Sequence, residues 1–522
     1  MKRLSFLVLS ALAGFAPAAD AQPDDPSPFD SGTPFASHGE LDALVLASLT
    51  ARGIEPANLC ADTVFLRRVY LDVIGTLPEP PEVRGFLQDA RPDKRSAVIE
   101  SLLEREEFAD YWALKWCDVL RTKSEFPVNL WPNAVQAYHR WIREAIHRNV
   151  PYDEFARELL TSSGSNFRVP QVNFYRAVQS REPESLAAAV ALTFMGVRLD
   201  TWSPEQRANL AAFFSRVAYK NTNEWKEEIV LLDPGQTSPL SVVFPDATAT
   251  TIPARDDPRH AFAAWLTAPA NDWFARNAVN RVWAWIFGRG IVDPADDFRP
   301  DNPPVNPELL AYLERQFVDA KYDVKHLLRM ILNSSTYQQS PIPRSKAADA
   351  ERYFACYPVR RLDAEVVVDA VSWLTATPVE YSSAIPEPFS FVPASERTIA
   401  LADGSITSSM LELFGRPARD TGLLSERSND PTDEQRRFLL NSSDIQRRIE
   451  RSERFRRMLE ATKKDRVNAI RAIYVAVLSR PPTVNEIAVA GRYASAEGVA
   501  PRQAADDLIW ALINSKEFMY RH

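Results

Sequence analysis

The sequence predicts a mainly α-helical protein, with two helical domains joined by a small β-hairpin linker. Apolar residues recur at helical spacing through most of the 522 residues. Proline is plentiful at 39 and glycine sparse at 16, which is typical of helices closed by rigid turns rather than of a glycine-rich nucleotide fold. Only the segment 225–257 differs, because two short runs rich in β-branched residues flank a Pro-Gly turn there.

These features divide the chain after its N-terminal region into three parts. Residues 39–224 form the first predicted helical domain, residues 225–257 the predicted β-hairpin linker, and residues 258–522 the second predicted helical domain. A chain of this length can build two or three domains, each with its own core. A net charge of -8 and a pI near 5.5 argue against a nucleic-acid-binding protein.

The N-terminus predicts a secretory signal peptide over residues 1–21. Lys2 and Arg3 precede an apolar run, and Ala19-Asp20-Ala21 offers a cleavage site with small residues. The run is short for a membrane span, and no later segment reaches that length. We therefore expect an exported protein of the periplasm or cell envelope without a membrane span after cleavage. Residues 22–38, rich in Pro and Asp, are predicted to be a flexible leader.

The best-defined helix begins at Phe274 and ends at Gly288, where glycine tolerates the left-handed turn that ends helices. Four polar side chains interrupt its apolar surface, and an acidic turn follows it. Polar groups that face a core must be hydrogen-bonded, so we expect these side chains to tie other segments to the helix or to bind a ligand. The binding candidates are Arg276, Asn277, Asn280, Arg281, Asp296, Asp297 and Arg299.

Two interpretations of the acidic turn remain open. Its carboxylates could hold a divalent cation such as calcium, which prefers oxygen ligands. However, Arg299 occupies a ligand position of an EF-hand loop, and Asn302 stands where that loop needs glycine. We favour carboxylates that cap helices and pair with arginines, and we assign no metal site.

No other catalytic motif is recognisable in the sequence. Cys60, Cys117 and Cys356 lie far apart without a C-x-x-C or C-x-x-C-H pair, so we expect three buried free thiols. The six histidines are scattered, and the sequence contains neither a G-x-S-x-G elbow nor a phosphate-binding loop. Catalytic residues stay unassigned, and no cofactor is predicted.

Arginines recur in pairs along the chain, and they suit either of two roles. Their guanidinium groups could recognise an anionic ligand, or they could act as internal clamps on carboxylates. We favour clamps, because aromatic and acidic residues accompany each pair. The arginines are Arg67, Arg68, Arg276, Arg281, Arg360, Arg361, Arg416 and Arg419, and the expected partners are Asp72, Asp118, Asp297 and Glu365.

Several long motifs resemble a known pair of domains. The stretches "FLRRVYLDVIGTLPEPPEV" and "YWALKWCDVLR" resemble the first of two planctomycete cytochrome-C-associated domains of unknown function. The stretches "FARNAVNRVWAWIFGRGIVDPADDFRPDNPPVNPELL", "YDVKHLLRMILNSSTYQ", "YPVRRLDAE", "FGRPARDT" and "INSKEF" resemble the second. The resemblance covers roughly residues 40–223 and 258–520. It implies an exported protein, often joined in relatives to a cytochrome-C-like domain, and it implies no established reaction.

One departure from the family pattern affects the expected chemistry. In many members, the segment after "FMGVRL" carries a clustered C-x-x-C-H motif. Here residues 196–205 contain neither Cys nor His. Any haem, metal or redox role carried over from relatives is correspondingly weak.

Three functional hypotheses follow. The first is an exported accessory protein of the cell envelope that binds an envelope protein, a cytochrome c, an anionic small molecule or a saccharide. The second is an envelope hydrolase that acts on polysaccharide-derived substrates. Its centre would be formed by Arg276, Asn280, Arg281, Asp296 and Asp297. The third is a redox partner of a cytochrome c. Arginines saturated by buried carboxylates would favour the first, and a concave pocket with unpaired charge would favour the second.

Overall fold

A computed structural model describes residues 27–462 and 465–522. The predicted signal peptide and residues 22–26 of the predicted leader lie outside the described residues. Within them the protein is 51% helical, with 23 helices and only small sheets of two or three strands. The prediction of a mainly helical protein is confirmed.

The first half of the chain alternates helices with one small sheet. Its elements are α1 Glu40–Ala51, α2 Asp62–Val73, α3 Pro80–Gln88, α4 Lys94–Leu103, α5 Glu106–Val119, α6 Pro132–His147, α7 Tyr152–Thr161, β1 Gly164–Ser165, α8 Asn173–Arg176, α9 Pro183–Val190, α10 Pro204–Ala212, β2 Val217–Asn221 and β3 Glu228–Leu232. Proline at the first helical position, where its missing N–H costs no hydrogen bond, begins α6 and α10.

The second half begins with a hairpin and is otherwise largely helical. Its elements are β4 Leu240–Val243, β5 Ala249–Ile252, α11 Pro258–Leu266, α12 Phe274–Phe287, α13 Pro307–Asp319, α14 Val324–Leu332, β6 Arg360–Arg361, α15 Ala364–Thr375, α16 Ser409–Leu413, α17 Asp433–Asn441, α18 Ser443–Arg451, α19 Glu453–Ala461, α20 Arg466–Leu478, α21 Val484–Tyr493, α22 Pro501–Ile513, α23 Lys516–Met519 and β7 Tyr520–Arg521. The irregular segment before α16 agrees with its many Pro and Ser residues.

The predicted hairpin between residues 229–232 and 240–244 has different pairing partners. Strand β3 lies between β1 and β2 and is antiparallel to both, whereas β4 pairs with β5. The sequence predicts a helix over residues 204–218, but the helix ends at Ala212, and residues 217 and 218 belong to β2. A short connection joins β2 to β3, so this pairing is local and the Pro-Gly turn only redirects the chain. Strand β3 is thus part of the first half rather than of a separate hairpin.

Helix α12 agrees with the prediction in length and in its end. It runs from Phe274 to Phe287, and Gly288 follows in the left-handed conformation with φ 79°. It packs against α13 and reaches across to the first half, where Trp285 contacts Trp112 and Trp116 edge-on at 5.7 and 5.3 Å between ring centroids. The helix therefore lies at the junction of the two halves.

One hydrophobic core runs through both halves of the described chain. Backbone hydrogen bonds also cross between them. Ala57 N–H donates to Ala355 O at 2.7 Å, Cys60 N–H to Gln338 O at 2.8 Å, and Phe298 N–H donates to Gly196 O at 2.9 Å. The halves are consequently packed together along their length. All three cysteines are buried free thiols, as predicted.

Residues 27–38 of the predicted flexible leader lie along the body of the protein. Ser31 N–H donates to Leu59 O at 3.0 Å, and Leu59 N–H donates to Thr33 O at 2.8 Å. Phe29 packs edge-on against His522 at 5.1 Å between ring centroids. This part of the leader is anchored rather than free. Among the helices of the described residues, none combines the length and apolar character that a membrane crossing requires.

Candidate functional site

Asn280 fixes the loop that follows α12. Its amide Nδ2–H donates to Val292 O at 2.9 Å and to Ala295 O at 3.3 Å, while its Oδ1 accepts from Val292 N–H at 2.9 Å. The side chain is fully buried. One amide thus satisfies three backbone groups that would otherwise lack partners in the core, which is the tying role that its position in an apolar helix predicts.

Arg281 and Asn277 fix a second segment, the π-helical turn Ala191–Met195 that extends α9. Arg281 Nη1 donates to Thr193 O at 2.6 Å and Nη2 to Leu192 O at 3.1 Å, and Asn277 Nδ2 donates to the same Thr193 O at 3.0 Å. Burial lowers the pKa of Arg281, and nearby Tyr152 and Asp296 oppose that shift. Backbone carbonyls, rather than a carboxylate, are its hydrogen-bond acceptors.

Gly196 follows this turn at a point of close approach. Its φ is +66°, and a Cβ there would lie 2.6 Å from Asn277 Oδ1 and 2.8 Å from the Phe298 ring. The backbone conformation and the contact both require glycine. The segment 196–205, which contains neither Cys nor His, therefore starts directly against α12.

Arg276 points away from the other candidates. It pairs with Glu314 of α13 at 3.2 Å, and its side chain is 39% exposed. Although Arg276 and Asn280 are four residues apart, one faces the surface and the other the core. The structure does not bring Arg276 together with Asn277, Asn280 and Arg281 at one point.

The carboxylates of the acidic turn are bound by other groups of the protein. Both carboxylate oxygens of buried Asp296 are engaged, since Oδ1 accepts from Arg198 Nη2 at 3.1 Å and Oδ2 accepts from Leu424 N–H at 3.0 Å. Asp297 pairs with half-exposed Arg299 at 3.4 Å. Across the described residues, no group of three or more His, Cys, Asp or Glu side chains is arranged to hold a metal ion.

A larger set of charged side chains is buried between the two halves, centred on Asp72 and Asp363. Arg360 Nη2 donates to Asp72 Oδ1 at 2.8 Å, and the hydroxyls of Tyr337 and Tyr357 both donate to Asp72 Oδ2 at 2.9 Å. Arg521 of β7 lies 3.4 Å from Asp72 Oδ1. We call this set, with the residues of the next two paragraphs, the buried ionic network.

Asp363 continues the network. Its Oδ2 accepts from Tyr111 Oη at 2.7 Å and from Arg521 Nη2 at 2.9 Å, and its Oδ1 accepts from Asn429 Nδ2 at 2.8 Å. Lys115 Nζ lies 3.6 Å away. Burial alone would raise the pKa of Asp363, but the Arg521, Lys115 and Arg427 cations hold it well below its usual range.

Asp118 and Glu365 complete the network. Arg419 Nε donates to Asp118 Oδ1 at 2.9 Å, and Arg427 bridges both acids, at 2.7 Å to Asp118 Oδ2 and 2.6 Å to Glu365 Oε2. Arg416 Nε lies 3.6 Å from Glu365 Oε1. Burial raises and Arg427 lowers the pKa of Glu365, with a net lowering, so the carboxylate is held in its charged form.

The clamp prediction is confirmed for particular pairs. Arg360 engages Asp72, Arg419 engages Asp118, and Arg416 approaches Glu365. The expected pairing of Arg68 with Asp72 within one helix is wrong. Arg68 instead donates to the carbonyls of Tyr337, Gln339 and His522, because its side chain leaves α2 towards the C-terminal segment.

Sequence reasoning missed several members of the network, namely Tyr111, Lys115, Asp363, Arg427, Asn429 and Arg521. Lys115 carried a usable signal, since it stands between Trp112 and Trp116 in an otherwise apolar part of α5. Burial lowers the pKa of Lys115 to about 8, with Asp363 opposing the shift. The other five have no local pattern that separates them from surface residues, because their partners are distant in sequence.

The cavity beside Trp112 and Trp116, the two tryptophans that contact α12, is small. A cavity of about 30 Å³ lies between α5, α6 and α7, with Trp112, Trp116, Tyr152 and Phe155 in its wall. That is space for about one or two water molecules, far below the roughly 300 Å³ at which small-molecule pockets begin.

The chain matches two family models. Residues 40–218 match a family model described as PSCyt2, a protein of unknown function (DUF1549), and residues 258–494 match PSD1, a protein of unknown function (DUF1553). The chain carries both domains of this pair. These names denote cytochrome-c-associated planctomycete families, as the resemblance indicated. Neither a curated protein nor a solved structure matches the chain.

The matched ranges show that the buried ionic network joins the two family domains. Asp72, Lys115 and Asp118 belong to the PSCyt2 domain, whereas Arg360 and Asp363 belong to the PSD1 domain. Asp72 and Asp118 therefore meet cations of the second domain, and Asp363 meets Lys115 of the first. Glu365 pairs with Arg416 and Arg427 of its own domain. Breaking any of these contacts would leave a charge buried without compensation, which costs far more than a surface pair contributes.

Proposed function

We propose that the protein is an exported accessory protein of the cell envelope, which binds a ligand or partner and whose arginine-rich motifs hold its two domains together. The observation that carries this proposal is that those arginines are paired with carboxylates inside the protein. Arg360, Arg419 and Arg427 each engage a buried carboxylate of the protein itself. Arginines committed in this way are poor candidates for binding an external anion, so the ligand should contact another surface.

The same contacts weigh against the hydrolase alternative at its proposed centre. Glycoside hydrolysis uses two carboxyl groups that reach the substrate, one of them able to donate a proton. Asp296 is buried with both oxygens engaged, and Asp297 pairs with Arg299. Asn280 and Arg281 are buried and bound to backbone carbonyls. These residues support architecture rather than turnover.

Native mass spectrometry of protein purified from the periplasm of its own host, with an absorbance spectrum of the same sample, tests the proposal. A bound protein or small molecule of defined mass is the expected result. A Soret band would favour the redox alternative instead. Protein at its bare polypeptide mass, free of any bound species, would contradict a binding role.

A matched variant separates binding from hydrolysis. Asp297→Asn removes a carboxylate that the hydrolase hypothesis needs, yet preserves the size of the side chain. An accessory protein should retain its bound species in this variant. Hydrolysis of an envelope polysaccharide fragment by the wild type, abolished in Asp297→Asn at an unchanged Tm, would overturn the proposal.

A further inference from the structure

Five aromatic side chains lie in three loops, and we call them the aromatic surface: Phe126, Trp131, Trp225, Phe389 and Phe391. The rings of Trp131, Trp225 and Phe389 pack against one another. Four are exposed, with Phe126 at 84%, Trp225 at 55%, Phe389 at 41% and Phe391 at 66%. Ring centroids lie 4.8 Å apart for Trp131 and Trp225, 5.8 Å for Trp225 and Phe389, and 6.1 Å for Trp131 and Phe389. Contiguous exposed apolar groups of this kind commonly mark a binding site.

The two loops that carry Trp131 and Phe389 are tied together by hydrogen bonds of Ser124 and Glu125. Ser124 N–H donates to Asp403 Oδ1 at 2.9 Å, and Glu125 N–H donates to Ser405 Oγ at 2.9 Å. The Glu125 carboxylate in turn accepts from Ala384 N–H at 3.0 Å, close to the loop that bears Phe389. Because the backbone is already held, a ligand would lose little free energy in ordering these loops.

Trp131 holds its position in an unfavourable backbone conformation. Its φ is 73° and its ψ 149°, a region that residues other than glycine rarely adopt. Pro132 begins α6 directly after it, and Trp131 N–H donates to Ser124 O at 3.3 Å. Backbone strain of this kind is found most often at functional sites, and here it places the indole ring against Trp225.

The composition of the aromatic surface indicates the chemistry of its ligand. Its large apolar groups are all aromatic. Exposed amide side chains stand in the same loops at Asn129 and Asn223, and in the first turn of α6 at Asn133. Aromatic faces attract the C–H groups on one face of a pyranose ring, and amides both donate to and accept from sugar hydroxyls. This combination suits an oligosaccharide better than the apolar face of a protein helix.

The charged residues beside the rings further restrict the class of ligand. Lys226 Nζ lies 4.9 Å from the centroid of the Trp131 ring, is exposed, and forms no ion pair within residues 27–462 and 465–522. A carboxylate on a sugar could therefore pair with it. Glu224 and Glu387, exposed in the same loops, would repel a densely anionic chain. The arrangement suits a chain in which acidic sugars alternate with neutral ones.

We propose that the aromatic surface binds an oligosaccharide of alternating neutral and uronic acid sugars. Pyranose faces stack on Trp225 and Phe389, and a uronate carboxylate pairs with Lys226. This inference deepens the proposed accessory function by naming its ligand class and the surface that binds it.

Isothermal titration calorimetry of the full chain tests the proposal with three probes of six sugars each. A hyaluronan fragment alternates neutral and uronic sugars, a cellulose fragment is neutral, and a heparin fragment is densely sulfated. The hyaluronan fragment should bind most tightly. Trp225→Ala and Phe389→Ala should each weaken its binding about tenfold, as expected for the loss of one stacked ring.

Two further variants make the test specific. Lys226→Gln should weaken binding of the hyaluronan fragment and leave binding of the cellulose fragment unchanged. Val484→Ala, at a side chain that is 78% exposed on α21, is the matched control and should bind like the wild type. The Tm of every variant should stay within about 2 °C of the wild type, since exposed side chains contribute little to stability.

Three results would overturn the proposal: no binding of any probe, equal binding by Trp225→Ala and the wild type, or tightest binding of the heparin fragment. The experiments distinguish rejection of the saccharide ligand from rejection of the accessory function. If native mass spectrometry finds a bound partner but none of the three oligosaccharides binds, only the saccharide proposal is rejected. Bound hyaluronan fragment together with hydrolytic turnover lost in Asp297→Asn would reject only the accessory role.

Discussion

Arg360 donates to the Asp72 carboxylate at 2.8 Å, and this buried contact joins the PSD1 domain to the PSCyt2 domain. The Asp72 side chain is fully buried, and the Arg360 side chain is only 12% exposed. Tyr337 and Tyr357 donate to the other carboxylate oxygen. Asp72 is therefore surrounded by donors of the second domain, which fixes how the two domains pack.

Arg360→Met should destabilise the protein strongly. Methionine keeps an apolar chain of similar length but removes the cation that compensates Asp72, and breaking a buried pair in this way costs about 3–5 kcal/mol. The more distant contact of Asp72 with Arg521, at 3.4 Å, should hold the loss near the lower end of that range. Urea denaturation followed by circular dichroism measures the change.

The control for this variant is Arg436→Ala. Arg436 pairs with Asp433 at 3.1 Å on the surface, with both side chains more than 60% exposed. Such pairs contribute about 0–1 kcal/mol. Equal losses of unfolding free energy in Arg360→Met and Arg436→Ala would show that the buried contact does not hold the domains together.

Asp363→Asn should produce a pH-dependent loss of stability. The folded pKa of Asp363 lies well below its ordinary value of 3.8, because Arg521, Lys115 and Arg427 outweigh the effect of burial. A depressed folded pKa adds stability above the unfolded pKa, and this stability is lost as the pH falls through the folded pKa. The wild type should exceed the variant by about 3 kcal/mol at pH 7. That difference should shrink progressively below pH 3.8.

Denaturant titrations of both proteins between pH 7 and pH 3 measure this difference. Asp433→Asn, at a surface carboxylate, serves as the control and should follow the wild type at every pH. A gap between the wild type and Asp363→Asn that stays constant down to pH 3 would mean that the Asp363 carboxylate is not stabilised by its charge.

The helical periodicity of α12 was sufficient to predict its extent, its end at Gly288 and the tying role of Asn280. Those features depend on residues close in sequence. The partner of Arg68 was not predictable in this way, because it is set by segments more than 260 residues away. Sequence reasoning could thus predict that arginines clamp carboxylates, but neither the individual partners, such as Arg360 for Asp72, nor the geometry of the buried ionic network.

The small sheet shows a second limit. The sequence predicts a helix over residues 204–218, but residues 217 and 218 belong to β2. They form β2 because β3 lies beside them and supplies the backbone partners. Strand formation here is a tertiary effect, and local preference alone does not encode it.

Lys115→Met should reveal the unusual titration of the lysine that it replaces. The folded pKa of Lys115 is about 8, below its ordinary 10.5, because burial outweighs the attraction of Asp363. Between these two values the unfolded chain holds the proton and the folded chain does not, so stability rises with pH. The wild type should therefore gain about 2 kcal/mol relative to the variant between pH 7.5 and pH 9.5.

Urea denaturation of both proteins at the two pH values measures this gain. Other groups titrate in the same range, but they are common to both proteins and cancel in the difference. If the gap between the wild type and Lys115→Met is the same at both pH values, Lys115 is as freely solvated as an ordinary surface lysine.

Asn280→Ala tests whether the candidates on α12 are architectural. The substitution leaves the buried N–H and C=O of Val292 without the amide that satisfies them, so we expect a loss of about 3 kcal/mol in unfolding free energy. Arg276→Ala, on the same helix, removes only a half-exposed pair with Glu314 and should cost less than about 1 kcal/mol. Hydrogen exchange of residues 289–298 should accelerate in Asn280→Ala and not in Arg276→Ala. If Arg276→Ala were the more damaging of the two, the polar side chains of α12 would have to act at the surface, where a ligand could reach them.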